Sequence, residues 1–300
     1  TMLDTLNILF IAPAVNVQLI IEGLFIGAIF ALSAYGLALV WGVMNIKNLA
    51  QGDFVIMGGY CTLFLKLNGV PLYLIVPIVA AGMFLYGWLI YVTVIRRVLG
   101  QDMFVSLLAT FGLSLLMQQS INLVFGPEVQ TVDMKLEVFD FLDGMVTVPM
   151  SKLLAFGLAG LIALCVVVFM KKSRTGQAIR ATAQDARAAR VLGINIDRVY
   201  AFTFSFNSAL CGVAGVLVSI IFVIQPFYGI TYSMGSFAIV TAAGLGNLPG
   251  VIMAAFSIGV FTKYCGFFES AYEYAAPVVV LLSVLMWRQH AMKKNRQAVK

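Results

Sequence analysis

The residues able to do chemistry are few and scattered. The one histidine, His290, sits in a basic tail, and Cys61, Cys165, Cys211 and Cys265 each stand alone in apolar sequence. None forms the close pair that a metal site or dithiol chemistry needs, which reads them as small core residues. There is no GxxxxGK[ST] loop to cradle phosphates, no HExxH and no GxSxG. The glycines of Gly244–Gly250 lack dinucleotide-loop spacing and lie between apolar runs. Catalysis by this chain is not expected.

What remains is polar chemistry inside apolar sequence. Glu22 lies about five residues into the first apolar run, and Asp53 opens the second beside Gly52. A charge at mid-bilayer costs about 2.5–3.5 kcal/mol on insertion scales, so such acids invite a functional reading. Both are shallow, and Asp53 also fits a helix N-terminal acid. Between Asn45 and Gly52 the chain stays polar between two apolar runs. Non-helical backbone at membrane depth is tolerated only where it is buried or lines a cavity. That makes Asn45, Asn48 and Gln51 candidates for a solute path, with Asn122, Asn207 and Gln225 behind them. The competing reading is hydrogen bonding between helices, worth about 0.6 kcal/mol each. Gly23, Gly27, Gly58, Gly59, Gly212 and Gly215 fit close helix packing. No convincing buried ion pair is visible, which disfavours an ion-coupled carrier.

The elements that hold these residues must be membrane helices. Apolar residues make up 61% of the chain and charged ones 11%, against about 45–50% and about 25% in soluble domains. Apolar runs cover 17–41, 72–95, 103–125, 151–170 and 200–224, with shorter ones at 53–65, 234–245, 251–268 and 275–287. A span takes about 20 residues, so the segment from Ser233 to Leu245 is either a full crossing or a re-entrant half-helix. The expectation is an all-α polytopic transmembrane helix bundle of eight to nine spans, one domain over 1–300. No basic region precedes the first apolar run, which predicts no cleavable signal.

Charge placement orients the bundle. With the tail (Arg288, Lys293, Lys294, Arg296, Lys300) cytoplasmic and nine crossings, all but Lys66, Lys135, Lys152 and Lys263 of the 19 Lys and Arg fall on the cytoplasmic side. Acidic Glu128, Asp133, Glu137, Asp140 and Asp143 share one external loop, Gly126–Pro149. That loop is expected on the membrane surface or against an external partner. The net charge of +6 is therefore topological and implies no nucleic acid.

The inner loop, 171–198, carries most information. From Thr175 to Leu192 it is rich in helix formers and free of proline. Helical spacing aligns Ala178, Ala181, Ala188, Ala189 and Leu192 in a stripe interrupted by Asp185, with Arg180, Gln184 and Arg187 opposite. Gly193 stands where a left-handed residue commonly stops a helix. A small-residue face with a basic flank suits a docking helix; a solvated connector obeying the positive-inside rule fits as well.

Arg187-Ala188-Ala189-Arg190-Val191-Leu192-Gly193 resembles the EAA loop of ABC importer permeases, with Arg187 where glutamate is usual. TGQAIRATAQDARAARVLGIN is similar to that loop in permeases for branched-chain and other hydrophobic amino acids, whose relatives carry urea and short amides. Gly36–Asn45, Asn48–Phe54, Ala109–Ser114 and Gly244–Gly250 resemble further blocks of that family in the same order, with Gln51 where His is frequent. The resemblance implies a coupling helix involving Arg180, Asp185, Arg187, Ala188, Ala189 and Gly193, and no cofactor on this chain. It implies ATP and Mg on two ATP-binding cassette subunits, a second homologous permease, a periplasmic solute-binding protein and a bacterial inner-membrane location amid lipid. A urea or amide permease is the near alternative, and a self-contained channel or ion-coupled carrier the remote one.

Overall fold

The structure is a computed structural model that describes residues 12–132, 138–141, 146–244 and 246–297. Asp133, Lys135, Glu137, Asp143, Leu245 and Lys300 lie outside the described residues. Each apolar run coincides with a helix. Helix α1 is Pro13–Met44, α2 Gln51–Leu67, α3 Leu72–Val98 with a π-helical turn at Tyr91–Ile95, and α4 Met103–Phe125. A hairpin of β1 (Val138–Phe141) and β2 (Val146–Pro149) leads into α5, Met150–Lys172. Short helices α6 (Arg174–Gln184) and α7 (Ala186–Val191) precede α8, Ile196–Ile221. Helices α9 (Gly229–Ala243), α10 (Leu248–Phe268) and α11 (Ser270–Gln297) complete the bundle.

Among the described residues, six helices are long and apolar enough to cross a membrane: α1, α3, α4, α5, α8 and α10. Helices α2 and α9 have 17 and 15 residues, or about 26 and 22 Å at 1.5 Å per residue. The apolar part of α11 is Ala275–Trp287. The all-α expectation holds apart from the hairpin.

Burial sorts the helices. In α1 and α8, 94% and 78% of the most apolar window is buried, against 22–33% in the other four long helices. The pair α1 and α8 is therefore the axis of the bundle. The remaining long helices turn exposed Leu108, Leu116, Leu161, Leu164 and Met253 outward, as lipid-facing helices must. Cys211 is buried, Cys61 and Cys265 are half-buried, and Cys165 is exposed on α5, so the core reading fails for Cys165.

Small residues set how closely the axis is wrapped. A Cβ added at Gly58 would come within 2.5 Å of the Gly212 carbonyl oxygen, and Gly215 meets the backbone of Val55 and Gly59. These contacts fuse α2 to α8. On the other side, a Cβ at Gly27 would lie 2.8 Å from the Phe256 Cα, and one at Gly259 2.5 Å from the Gly23 carbonyl oxygen. They fuse α1 to α10. Close backbone approach through small residues is how helices associate in lipid, where apolar burial gives no net drive.

The chain leaves α8 three residues earlier than the apolar run suggests. Ile224 and Gln130 exchange backbone hydrogen bonds of 2.8 and 2.9 Å, an isolated bridge that holds the extended chain after α8 against the outer loop. After a turn at Pro226–Tyr228, α9 starts deep in the bundle, with Gly229 against Asp53 and Gly52.

Leucine at Gly58 is expected to push α2 off α8 and destabilise the solubilised protein by about 3 kcal/mol or more. Leucine at Gly82, where an added Cβ meets nothing within 4 Å, is expected to leave the thermal unfolding midpoint in detergent unchanged.

Candidate functional site

The polar residues buried along the axis meet at one level. Gln51 follows the end of α1 by seven residues, yet its Nε2 donates to the carbonyl oxygen of Ser33 at 2.8 Å. Ser33 lies about 16 Å back along α1. The linker 45–50 therefore climbs back into the bundle instead of crossing its end. Asn45 takes the left-handed conformation, φ 54°, that ends α1 and turns the chain inward. Thr110 on α4 holds the linker through the Leu49 N–H and the Lys47 carbonyl oxygen, both at 3.3 Å.

Gln51 and Asn207 form a reciprocal amide pair. Gln51 Nε2 donates to Asn207 Oδ1 at 2.9 Å, and Asn207 Nδ2 donates to Gln51 Oε1 at 3.2 Å. Cys211 Sγ lies 3.0 Å from Gln51 Nε2, and Asn48 Nδ2 donates to Gln51 Oε1 at 3.3 Å. Asn48 Oδ1 accepts from the Ala50 N–H. Asn48, Gln51 and Asn207 are all fully buried, and every polar atom of the three is used. In this conformation they form a lock between helices, buried away from any solute.

The N-termini of the two short helices complete the knot. The Gly52 N–H donates to Ser233 Oγ at 2.8 Å, and that hydroxyl donates to the Leu49 carbonyl oxygen. Ser33 and Ser236 hydroxyls bond at 2.8 Å. Asp53 is 1% exposed and accepts from Ser114 Oγ at 2.5 Å and Gln118 Nε2 at 2.9 Å. It lies in the first turn of α2 and against the first residue of α9, where both helix dipoles favour an anion. Asn122, Gln225 and Asn45 stand apart from the knot. Asn122 Oδ1 is buried without a partner among the described residues, Gln225 donates to the Pro127 carbonyl oxygen, and Asn45 is exposed.

A second polar group lies at the hairpin end. Glu22 bridges Lys152 at 3.4 Å and Lys263 at 3.9 Å, and Lys263 pairs with Glu273 at 2.8 Å. These side chains are 15–31% exposed, so the pairs are half-buried and the expectation of no fully buried pair stands among the described residues. The cluster also accounts for Lys152 and Lys263, two of the basic residues outside the cytoplasmic set. Lys263 and Glu273 edge a cavity of about 350 Å³ whose walls include Ile26, Ile29, Phe30 and Phe222.

At the opposite end, the helix expected over Thr175–Leu192 is two helices. Asp185 breaks it with extended backbone, φ −154° and ψ 106°, and caps α7 by accepting from the Arg187 and Ala188 N–H groups at 2.8 and 3.0 Å. Those two donors hold the Asp185 carboxyl below its ordinary range. The cap is therefore at full strength above that range and released only as pH falls through the lowered value. The break dissolves the alanine stripe: Ala189 is buried while Ala188 is exposed. Arg180, expected opposite the alanine stripe with Gln184 and Arg187, turns in and donates to the Met170 carbonyl oxygen at the end of α5. Gly193 has φ 86° and ends the loop's helix as its type suggests. Arg187 is exposed, and Val191 and Leu192 are 88% and 80% exposed.

A family profile described as "Branched-chain amino acid transport system / permease component" matches residues 19–286. The chain belongs to this family. It is 27% identical to the high-affinity branched-chain amino acid transport system permease protein LivH of Salmonella typhimurium over 288 residues, 90% of this chain and 92% of that one. LivH of Escherichia coli K12 is 27% identical over 286 residues, with the same coverage. BraD of Pseudomonas aeruginosa, similarly described, is 26% identical over 287 residues, 90% of this chain and 93% of that one. A solved structure, PsaBC from Streptococcus pneumoniae in complex with Fab, aligns with a TM-score of 0.47 and 12% identity over 88% of each chain. The permease component is a multi-pass membrane protein and its family is one of transport, not of enzymes.

Replacing Gln51 with Leu leaves the Asn207 amide buried and unpaired, which is expected to cost about 1–3 kcal/mol. Adding Asn207→Leu removes the orphan and is expected to restore part of that loss. Thermal unfolding of the four members of this cycle in detergent measures both.

Proposed function

We propose that the chain is the permease subunit of an ATP-driven importer for branched-chain or other hydrophobic amino acids in the bacterial inner membrane. It works with two ATP-binding cassette subunits, a second homologous permease and a periplasmic solute-binding protein. ATP and Mg act on the partner subunits, and this chain contributes the path and the docking surface. The family match along 19–286 supports the class. The observation that carries the coupling role is α7 and its exit: a capped helix ending in exposed Val191 and Leu192, flanked by exposed Arg187 and Arg190. Large apolar side chains left in water beside cations fit a surface that a partner covers.

In this reading the hairpin end faces the periplasm, the α6–α7 end and the C-terminus face the cytoplasm, and the bundle crosses nine times. The order of the elements is compatible with that threading if Phe222–Ala243 makes one crossing as an extended segment, a turn and the short helix α9. The family's coupling role falls on Arg180, Asp185, Arg187, Ala188, Ala189 and Gly193. Arg180 and Asp185 serve it indirectly, one anchoring α6 to α5 and the other setting the angle of α7. ATP-driven closure of the partners pulls on α7, and α8, which follows it directly, carries the motion to Asn207 and the knot. Asn48, Gln51 and Asn207 reach solute only when the knot opens, and Asn45, Asn122 and Gln225 lie outside it.

The double variant Val191→Asp, Leu192→Asp is expected to insert and unfold as the wild type does, since both side chains are exposed. Leucine uptake and solute-stimulated ATP hydrolysis of the purified complex are expected to fall by about tenfold or more. Wild-type uptake in that variant would remove the docking role from α7. Mild-detergent purification followed by mass spectrometry is expected to find the ATP-binding subunits with the wild type and less of them with the variant.

A further inference from the structure

We propose that the cavity at the hairpin end is a receiving site for an apolar α-amino acid in its zwitterionic form, with Lys263 holding the carboxylate and Glu273 the ammonium. The proposal rests on the amino-acid permease reading and adds to it a site on this chain.

The charge balance argues first. Glu22, Glu273, Lys152 and Lys263 sum to zero and are linked through Glu22 and Lys263. A zwitterion that enters the 2.8 Å contact of Lys263 and Glu273 replaces one ion pair with two and leaves the sum at zero. A cationic or anionic ligand leaves one member of the pair without its counter-charge, which is costly away from water. A neutral amide separates the pair and returns no charge to either member. The site therefore selects a ligand carrying both charges close together.

The walls argue for the side chain. Beyond the ion pair the walls include Ile26, Ile29, Phe30 and Phe222, interspersed with Tyr228, Thr231 and Tyr232, a mostly apolar surface suited to an aliphatic group and not to a second charge. At about 350 Å³ it falls at the small end of the roughly 300–1,000 Å³ typical of small-ligand sites. Phe222 also lies under the Lys263 ammonium, 5.7 Å from ring centroid to nitrogen, which keeps the lysine at the cavity edge. Thr262 lines the cavity, and its Oγ1 is buried without a hydrogen-bond partner among the described residues. Buried hydroxyls are normally bonded, and this one, shielded from the cavity, would meet a carboxylate beside Lys263 only after a shift of its neighbours.

Position argues for the role. The walls come from α1, α10, α11 and the Phe222–Tyr232 segment, so the cavity leads from the hairpin end toward the N-terminus of α9 and the knot. A solute released at that end meets this cavity before the locked level.

The test is binding of labelled L-leucine to the full chain, with its co-purifying partners, in lipid nanodiscs. L-leucinamide, 4-methylpentanoate and urea serve as competitors. L-leucine is expected to compete at least about tenfold better than either single-charge analogue, since each loses one charge-assisted contact. Lys263→Gln and Glu273→Gln are each expected to weaken binding by a similar factor. Thr231→Trp fills the cavity from a half-buried position without touching the ion pairs, and is expected to abolish binding at an unchanged melting midpoint. Wild-type binding in Thr231→Trp, equal competition by the single-charge analogues, or no saturable leucine binding to the wild type would overturn the site. Leucine uptake that survives Thr231→Trp refutes the site and spares the permease reading. A wild-type complex that imports no amino acid refutes both.

Discussion

The bundle depends on the need to satisfy two buried side-chain amides at the level where it is most tightly packed. Gln51 and Asn207 exchange hydrogen bonds in both directions, and Gln51 also reaches the backbone of α1. An orphaned amide in a dry interior costs about 1–3 kcal/mol, far more than the roughly 0.6 kcal/mol gained by making one such bond between membrane helices. The pair therefore acts through the penalty for leaving it. Any motion that separates α2 from α8 must find new partners for both amides. That requirement forces the 45–50 linker upward, starts α2 inside the bundle and brings the start of α9 to the same depth.

The glycine seams make this level accessible. Gly52 packs against Gly229, Gly58 against Gly212, and Gly215 against Val55, so three backbones approach closely enough for short polar side chains to bridge them. With larger residues there, the Ser233 hydroxyl could not reach both the Gly52 N–H and the Leu49 carbonyl. Packing and hydrogen bonding are thus one constraint along the axis. The hairpin end is organised differently, by longer and partly solvated ion pairs around a cavity, and the α6–α7 end by a helix cap and exposed apolar residues.

Much of this was legible in the sequence. Apolar runs placed the helices, and of the glycines singled out for close packing Gly23, Gly27, Gly58 and Gly215 meet backbone. Gly212 instead faces the Met83 and Val79 side chains, and Gly52 and Gly259 were missed. Asn48, Gln51 and Asn207 were visible as polar residues in apolar sequence, but not their mutual pairing, because 156 residues separate Gln51 from Asn207. The same distance problem hid the cluster of Glu22, Lys152, Lys263 and Glu273, whose members look like isolated interfacial charges. The inner loop misled for a local reason. Alanine-rich composition favours one continuous helix, yet Asp185 accepts two N–H groups in extended conformation and wins as a cap. Arg180 turned inward because the last carbonyls of α5 needed a donor.

The central claim is that this chain provides a path whose opening is driven by ATP-hydrolysing partners, for a solute that is an amino acid. Uptake of labelled L-leucine and labelled urea into proteoliposomes holding the co-purified complex, with and without internal ATP, tests it most directly. The expected result is ATP-dependent leucine uptake, little urea uptake, and no flux of either from liposomes containing this chain alone. Flux through the chain by itself, or ATP-driven uptake of urea in place of leucine, would contradict it.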